Sequence, residues 1–483
     1  MGSLRGRWLF LRGLAVCHLV AFLSLAPQLE GLLGETGILP AAQYLDRVAR
    51  DFGPERFHLV PTVFWLGASD QALVAAAGAG VLISLLVLLG VWPRLGFFLL
   101  WALYLSISSV GRAFLAFQWD ILLLETTVLA MLLSPRGLLP GLGADDPPRP
   151  LALWAGRLLL FKLMFLSGWA KYASQDPTWR DLSALTFHYQ TQPLPTILGW
   201  FAHRLPLFFH QASALLMFGV QLIAPFLLFL PARGRRWAVP PLFLLQLLIA
   251  LTGSYGFFNL LAVVLMALAV DDGTLQASLP KGLRGLWRDQ ELTTPRRAPL
   301  GDGAAALLVG LQLALLFARF AGSERLPDPV ASTLEHLRPL RSLNHYGLFA
   351  VMTTERREIV IEGSRDGKTW LPYTLPFQPG PLERAPVWAG PHMPRLDWQL
   401  WFAALGEARD NPWFSSFLLR LGEGVPAVRR LLLLDPFGED PPTQLRAQLY
   451  RYRFTTPAER AVSGVWWARE PLGLYYGPLT VDP

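Results

Sequence analysis

Long apolar runs separated by short polar connections fill the first two thirds of the chain. A helix needs about 20 apolar residues to cross a hydrocarbon core about 30 Å thick, and nine runs come near that length. The six clearest runs are residues 8–27, 71–92, 95–110, 210–230, 257–270 with its flanks, and 304–320. The three less regular runs are residues 119–133, 151–172 and 237–252. Because some runs are short enough to be re-entrant, the pattern predicts seven to nine transmembrane helices.

The pattern changes near residue 323 to mixed polar and aromatic sequence without a run that could span. Residues 346–352 are apolar and predict a strand, and residues 357–362 alternate. The Asp366-Gly367 pair then predicts a β-hairpin closed by residues 368–375. Residues 396–405 and 412–421 predict amphipathic helices, and residues 445–454 predict another strand. We therefore expect a β-rich domain over residues 323–483, after a multi-pass transmembrane domain over residues 1–322 with outward loops at 28–70 and 173–209.

Composition supports this division. Hydrophobic residues make up 53% of the 483 residues and charged residues only 16%, whereas soluble domains carry about 25% charged residues. Disordered chains are poor in aliphatic and aromatic residues, so disorder is excluded. Cys17 is the single cysteine, so an intrachain disulfide is excluded as well.

The positions of the basic residues predict the orientation. With a cytoplasmic N-terminus and nine crossings, the inside connections hold 13 Lys and Arg residues and the outside segments hold six. Positive residues concentrate on the cytoplasmic side of membrane proteins. The C-terminal domain is therefore predicted to be extracytoplasmic. It would be periplasmic in a bacterium, which the Arg-, Ala- and Gly-rich composition favours, and lumenal in the endoplasmic reticulum of a eukaryote.

Three stretches carry a resemblance to a known family. They are FLSGWAKYASQDPTWRDLSALTFHYQTQPLPTILGWFAHRLP at residues 165–206, FQWD at 117–120 and NHYGLF at 344–349. Together with IEGSRDGKTWLPYTLPFQPG, PRLDWQLWFAAL and NPWF in the C-terminal part, they resemble the lipase maturation factor family over nearly the whole chain. The resemblance implies a protein of the endoplasmic reticulum membrane, or of the cytoplasmic membrane in a bacterium. It would assist the folding and assembly of secreted lipases without catalysis. The implied partners are a secreted client, a lipase above all, and membrane lipids, with no nucleic acid and no cofactor.

Lys171, at the end of one apolar run, has three interpretations. It is a snorkelling lysine beside an interfacial Trp179, or it forms an ion pair with Asp176, or it is a catalytic base. The third comes from a more distant resemblance, to the gamma-glutamyl carboxylase-related superfamily, in which a lysine so placed acts as a general base. This alternative would make the protein a membrane enzyme acting at the outer surface. The leading hypothesis is a non-enzymatic maturation factor, and a transporter is disfavoured because no repeat of broken helices occurs.

The aromatic loop at residues 173–209 is longer than a connector between neighbouring helices requires. We expect it to form one unit with the C-terminal domain. Its histidines lack the spacing of a metal site, so no metal is predicted. The candidates for client binding or for a structural role are Asp176, Trp179, His188, Tyr189, Gln192, Asn344 and Tyr346.

Four charged residues fall inside predicted membrane helices: Asp120, Glu125, Arg157 and Lys162. Charges at that depth face the bundle interior and pair, so we expect an ion-pair network that joins the two helices. The basic connection at residues 281–297 also contains acidic residues, and anionic lipid headgroups explain it better than nucleic acid.

Overall fold

The computed structural model describes residues 3–278 and 299–481, and helices account for nearly all of the regular structure before residue 322. Those helices are, in chain order, α1 (Leu4–Leu25), α2 (Leu29–Leu33), α3 (Ala41–Phe52), α4 (Arg56–Leu59), α5 (Asp70–Leu89), α6 (Pro93–Gly111), α7 (Gln118–Leu133), α8 (Pro150–Ala173), α9 (Pro177–Arg180), α10 (Ala184–Thr191), α11 (Ile197–Ala202), α12 (Leu207–Leu222), α13 (Ala232–Arg235), α14 (Val239–Thr252), α15 (Phe258–Met266), α16 (Asp272–Ser278) and α17 (Pro299–Ala321). The basic connection at residues 281–297 lies outside the described residues.

Every predicted apolar run lies on a helix. In the described part of the chain, six helical segments are long and apolar enough to cross a bilayer: Leu4–Leu33, Asp70–Leu89, Pro93–Leu115, Pro150–Ala173, Leu207–Phe229 and Pro299–Ala321. The remaining three runs form the shorter helices Gln118–Leu133, Val239–Thr252 and Phe258–Ala269. The prediction of a polytopic helical membrane protein is confirmed.

Local signals set the helix ends. The hydroxyl oxygen of Ser69 accepts a hydrogen bond from the backbone N–H of Ala72, which caps the start of α5. Gly90 ends α5 with a φ of +96°, a left-handed conformation that a residue without Cβ adopts readily. Pro93 then starts α6, where its missing N–H has no intrahelical partner to lose.

The C-terminal part contains one antiparallel sheet of four strands in the order β2-β1-β3-β4. The strands are β1 (Arg356–Ser364), β2 (Leu371–Pro372), β3 (Gln444–Phe454) and β4 (Trp467–Thr480). The helices are α18 (Asp328–Leu337), α19 (Arg395–Ala403), α20 (Pro412–Gly422), α21 (Pro426–Arg429) and α22 (Pro457–Ser463). The predicted hairpin is confirmed, since β1 and β2 pair and Gly367 has a φ of +69° in the turn.

One strand prediction is wrong. Residues 346–352 form an irregular turn rather than a strand, with Phe349 at a φ of +53°. The reason is tertiary: backbone groups of this segment are hydrogen-bonded to side chains of α8 and of the loop that follows it. The Leu348 carbonyl accepts from Lys171, and the Met352 N–H donates to Asp176. They are therefore not available to a strand ladder.

The two parts share one hydrophobic core. Buried residues of the membrane helices, such as Leu14 and Leu123, belong to the same packed cluster as Leu400, Phe414 and Leu445 from the C-terminal part. The composition changes where α17 ends at Ala321, but packing is continuous across that point.

Candidate functional site

The segment at residues 344–352, here called the junction segment, lies between the membrane helices and the sheet. Its first residues bind Glu125 of α7. The Glu125 Oε2 atom accepts from the Tyr346 hydroxyl at 2.7 Å and from the Asn344 backbone N–H and Nδ2 at 3.1 and 3.2 Å. Glu125 Oε1 accepts from Lys162 Nζ of α8 at 2.7 Å, and both side chains are buried, at 1% and 0% exposure. One carboxylate thus joins two membrane helices to the junction segment.

This cluster satisfies two of the four charges that the sequence places inside the predicted membrane helices, those of Glu125 and Lys162. An ion buried alone is costly, and the cost falls only when a counter-ion and hydrogen bonds surround it. Glu125 has both, and Gln312 of α17 adds a contact from Nε2 at 3.4 Å to Oε1. The expected ion pair between these two helices is therefore present, as the Glu125–Lys162 pair.

Lys171 points into the junction segment. Its Nζ donates to the carbonyl oxygens of Leu348 at 2.9 Å and Ser167 at 3.0 Å, and to Gln221 Oε1 at 3.4 Å. It lies 5.6 Å from the centre of the Trp179 ring. Lys171 is buried, so it does not snorkel. Its amine is therefore enclosed by acceptors that belong to this chain.

Asp176 and Trp179 hold the other end of the junction segment. The Asp176 carboxylate accepts from the backbone N–H groups of Met352 and Thr178, both at 2.8 Å, and so caps α9. Burial by itself would raise the pKa of Asp176, but hydrogen bonds from Thr178 and Met352 outweigh burial and lower the pKa. Trp179 Nε1 donates to the Phe349 carbonyl at 3.0 Å. Asp176 therefore binds backbone groups and forms no ion pair with Lys171.

His188 and Gln192 pack on the same turn through Tyr255. The Tyr255 hydroxyl donates to Gln192 Oε1 at 2.8 Å and lies 3.3 Å from His188 Nε2. The His188 ring lies 5.0 Å from that of Phe349. His188 keeps some exposed surface, yet its ring is enclosed by these neighbours. Burial, and next the positive charge of Lys171, lower the pKa of His188 to about 4.

Tyr189 lies at the edge of this arrangement, with its ring 5.8 Å from that of His210. Among residues 3–278 and 299–481, no three His, Cys, Asp or Glu side chains are grouped so as to hold a metal ion.

Asp120 and Arg157 differ from the expected network. Asp120 pairs with Arg395 of α19, with Nη1 at 2.7 Å and Nη2 at 2.8 Å, and accepts from the Tyr104 hydroxyl at 2.6 Å. Arg157 instead donates to the Leu268 carbonyl at 3.4 Å. The expectation that Asp120 pairs with a neighbouring membrane helix was wrong, because its partner comes from the C-terminal part of the chain.

Arg356 of β1, like Arg395 of α19, holds the two parts of the chain together although the sequence pattern does not single it out. Its guanidinium donates to the carbonyl oxygens of Gln190, Gln192 and Pro193 at 2.9, 2.5 and 3.0 Å. Trp401 Nε1 donates to the Thr191 carbonyl at 2.9 Å. The loop at residues 173–209 and the C-terminal domain therefore form one unit, as expected. Nothing local marks Arg356, whereas Arg395 lies in the PRLDW stretch that carries the family resemblance.

Most of the predicted site residues thus converge on the junction segment, and their partners are other parts of this chain. Such a constellation binds the membrane helices, the aromatic loop and the sheet together. Charged side chains that form hydrogen bonds with backbone groups hold those groups in place. This arrangement is typical of residues with a structural role.

Comparisons with known proteins agree with both parts of this architecture. Residues 5–277 match the lipase maturation factor transmembrane domain, and residues 342–477 match the lipase maturation factor C-terminal domain. Lipase maturation factor 2 of Rattus norvegicus is 36% identical over 96% of this chain and 81% of its own length. The Homo sapiens protein of the same name is 36% identical over 97% of this chain and 82% of its own length.

Lipase maturation factor 1 of Bos taurus is 34% identical over 98% of this chain and 89% of its own length. No solved structure matches the chain. The carboxylase-related alternative is not favoured by these relationships. The chain is a multi-pass membrane protein, and it belongs to the lipase maturation factor family.

Proposed function

We propose that this protein assists the folding and assembly of a secreted lipase as a maturation factor that does not itself catalyse a reaction. The observation that carries the proposal is the match of both family domains over nearly the whole chain. The relatives are named lipase maturation factors, and they cover 96% or more of this chain.

We also propose that the C-terminal domain faces the lumen of the endoplasmic reticulum or, in a bacterium, the periplasm. The excess of Lys and Arg in the inside connections supports this orientation. A reporter active only outside the cytoplasm should be active when fused after Pro483 and inactive when fused after Arg236. The reverse result would contradict the orientation.

In this proposal the aromatic loop and the C-terminal domain present a surface to the partly folded client. The residues of the junction are occupied by contacts within the chain, so the client contacts fall on exposed apolar side chains of the unit. Leu198 and Phe201 of α11 are 49% and 54% exposed, and Trp388 is 60% exposed. Contiguous exposed apolar patches mark sites of contact with proteins or membranes, and in this proposal these side chains contribute to such a patch.

Removal of residues 190–195 tests the role of the unit. This deletion takes away the three carbonyl groups that Arg356 binds. We expect it to abolish lipase maturation while membrane insertion persists, measured as secreted lipase activity at equal expression. The matched control removes six residues, 458–463, from α22, which has no buried residue and should retain most activity. Full lipase activity from the first deletion would contradict the proposal.

Lys171→Arg distinguishes the maturation factor from an enzyme. Arginine keeps the charge and the donors to Leu348 and Ser167, but it does not act as a base in proteins. We expect lipase maturation to fall less than about threefold. A loss of about 10²–10⁴-fold at equal expression is the size expected for a missing general base, and it would support catalysis instead.

A further inference from the structure

A groove runs along the membrane-facing side of the bundle, between α17 and the pair α6 and α7. It consists of two adjoining cavities of about 770 and 290 Å³, and both are lined by Met131 and Leu132 near the end of α7. Because the cavities share these two residues, they meet at the end of α7.

The larger cavity is basic at its rim. Its lining includes Arg94, Arg136 and Arg149. Arg94 and Arg136 contact Asp146 at 3.7 and 3.2 Å, and their side chains remain 44% and 51% exposed. Arg149 contacts Asp302 at 2.6 Å. Among the residues that the structure describes, Arg94 and Arg136 share the one carboxylate of Asp146 and so leave positive charge at the rim, on the side where the sequence predicts the cytoplasm.

The smaller cavity is apolar. Trp101 of α6, Val128 of α7 and Leu307 of α17 line it, and Leu340 and Leu343 close its far end. The one hydroxyl in its described lining, that of Ser342, accepts a hydrogen bond from Trp101 Nε1 at 2.9 Å. Such walls offer dispersion contacts and no free polar partner, which suits a hydrocarbon chain.

The length of the groove fits one leaflet of a bilayer. Along α17 it extends from Leu300 to Leu311. At 1.5 Å per residue this corresponds to about 16 Å, close to half of a hydrocarbon core about 30 Å thick. A lipid that enters from the basic side therefore reaches the closed end with its acyl chain at about the bilayer midplane.

We propose that this groove binds one anionic glycerophospholipid of the cytoplasmic leaflet. The phosphate lies among Arg94, Arg136 and Arg149, and one acyl chain lies along α17 as far as Leu311. The charge selects an anionic headgroup, and the length and apolar walls of the groove select a lipid over free phosphate. The inference requires only the orientation of the membrane domain and does not depend on the identity of the client.

The test measures lipid binding to the full chain. The protein purified in dodecyl maltoside is titrated with dioleoylphosphatidylglycerol or dioleoylphosphatidylcholine, and bound lipid is counted by native mass spectrometry. Because the two lipids have the same tails, the headgroup alone differs. We expect phosphatidylglycerol to bind about tenfold more tightly, and Arg136→Gln and Arg94→Gln each to weaken it about fivefold. Arg233→Gln, at an exposed basic residue elsewhere on the same predicted side, is the control and should change nothing.

A second pair of variants tests the acyl site. Leu307→Trp fills the groove, whereas Leu313→Trp makes the same change at an exposed position of α17 that does not line it. We expect Leu307→Trp to reduce phosphatidylglycerol binding at least tenfold and Leu313→Trp to leave it unchanged. Both positions are exposed on α17, so both proteins should fold, as checked by the monodispersity of the purified proteins.

Three outcomes would overturn the proposal. Equal binding of the two lipids would remove the headgroup site. Loss of binding in the arginine variants but not in Leu307→Trp would indicate surface attraction without a groove. Competition by millimolar inorganic phosphate, with lipid binding unaffected by Leu307→Trp, would assign the basic rim to a free anion.

Discussion

At the scale of single residues, each buried carboxylate of the membrane region is held by several donors. Glu125 receives donors from Lys162, Asn344 and Tyr346, and Asp120 receives them from Tyr104 and Arg395. Removing one member of such a group leaves a charge without compensation, which costs more than the pair contributes when intact.

The Glu125–Lys162 pair leads to a prediction about coupling. Lys162→Met should lower the free energy of unfolding by about 3–5 kcal/mol, because Glu125 then lacks its cation. The double variant Lys162→Met/Glu125→Gln should lose less than the sum of the two single variants, since no charge remains. Thermal unfolding in detergent measures these losses. The control is Arg157→Met on the same helix, which removes a contact with the Leu268 carbonyl and one with the Trp154 ring but no ion pair with a carboxylate. Additive losses in the cycle would refute the coupling.

His188 leads to a prediction about pH. Its pKa is lowered from 6.5 to about 4 by burial and by Lys171, so between these values the unfolded chain binds a proton that the folded chain does not. Stability from this residue is therefore present above about pH 6.5 and is lost as the pH falls through about 4. His188→Gln should reduce the loss of stability between pH 7 and pH 4.5, measured by thermal unfolding.

Asp397 provides a comparison of opposite sign. Burial raises the pKa of Asp397 from 3.8 to about 6, so its contribution is present at low pH and is lost as the pH rises through about 6. Asp397→Asn should therefore make the parent's decline on acidification steeper, whereas His188→Gln makes it shallower. If both variants shift the pH dependence in the same direction, the assignment of the residue whose variant shifts against expectation is wrong.

At the scale of elements, the hairpin of β1 and β2 is defined by its turn. The Asp366 carboxylate accepts from the backbone N–H groups of Lys368 and Thr369 at 2.8 and 2.7 Å. These bonds lower the pKa of Asp366, with the Thr369 N–H contributing most. Gly367 supplies the positive φ that the turn requires.

Gly367→Val should destabilise the C-terminal domain by about 1–2 kcal/mol, because a side chain branched at Cβ is strained at a positive φ. The new Cβ would also come within 3.2 Å of the Gln444 side chain. Limited proteolysis of the C-terminal domain should show faster cleavage, with membrane insertion unchanged. Gly406→Val is the control, since a Cβ there meets only Asp410 at 3.6 Å. Equal protease resistance of the two variants would show that the turn does not need glycine.

At the scale of the whole molecule, the C-terminal domain is attached to the membrane bundle through buried contacts. Arg395 reaches from α19 to Asp120 of α7, with side-chain exposures of 1% and 0%. Arg356 binds the aromatic loop from the sheet side. The loop and the sheet can act as one surface only if the contacts of Arg395 and of Arg356 both hold them rigidly.

Arg395→Met should loosen this attachment. The change leaves Asp120 buried with only the Tyr104 hydroxyl and backbone partners, at a cost of about 3–5 kcal/mol. Hydrogen exchange should rise in α19 and α20 before it rises in α8. The control is Arg409→Met in the same domain, whose ion pair with Glu407 is largely exposed and should matter little. Uniform exchange across both parts in Arg395→Met would show that they unfold as one unit regardless of this contact.

The elements whose signals are local could be predicted from the amino-acid pattern. The length of the apolar runs predicts the membrane helices, and the Asp366-Gly367 pair predicts the hairpin. The spacing of apolar residues predicts α19, α20 and β3. The pattern does not predict β4, because Pro471 and Pro478, with glycines close to them, interrupt the alternation of apolar and polar residues. The strand lies at the edge of the sheet, where residues without an N–H are tolerated.

The pairing of the charges and the conformation of the junction segment depend on contacts between distant parts of the chain. Asp120 and Arg395 are 275 residues apart, and no local pattern links them. The apolar residues 346–352 predict a strand. In the structure, Lys171, Trp179 and Asp176 form hydrogen bonds with their backbone groups. The physical reason is the same in both cases: a buried polar group must find a partner, and in this protein the partner comes from a distant part of the chain.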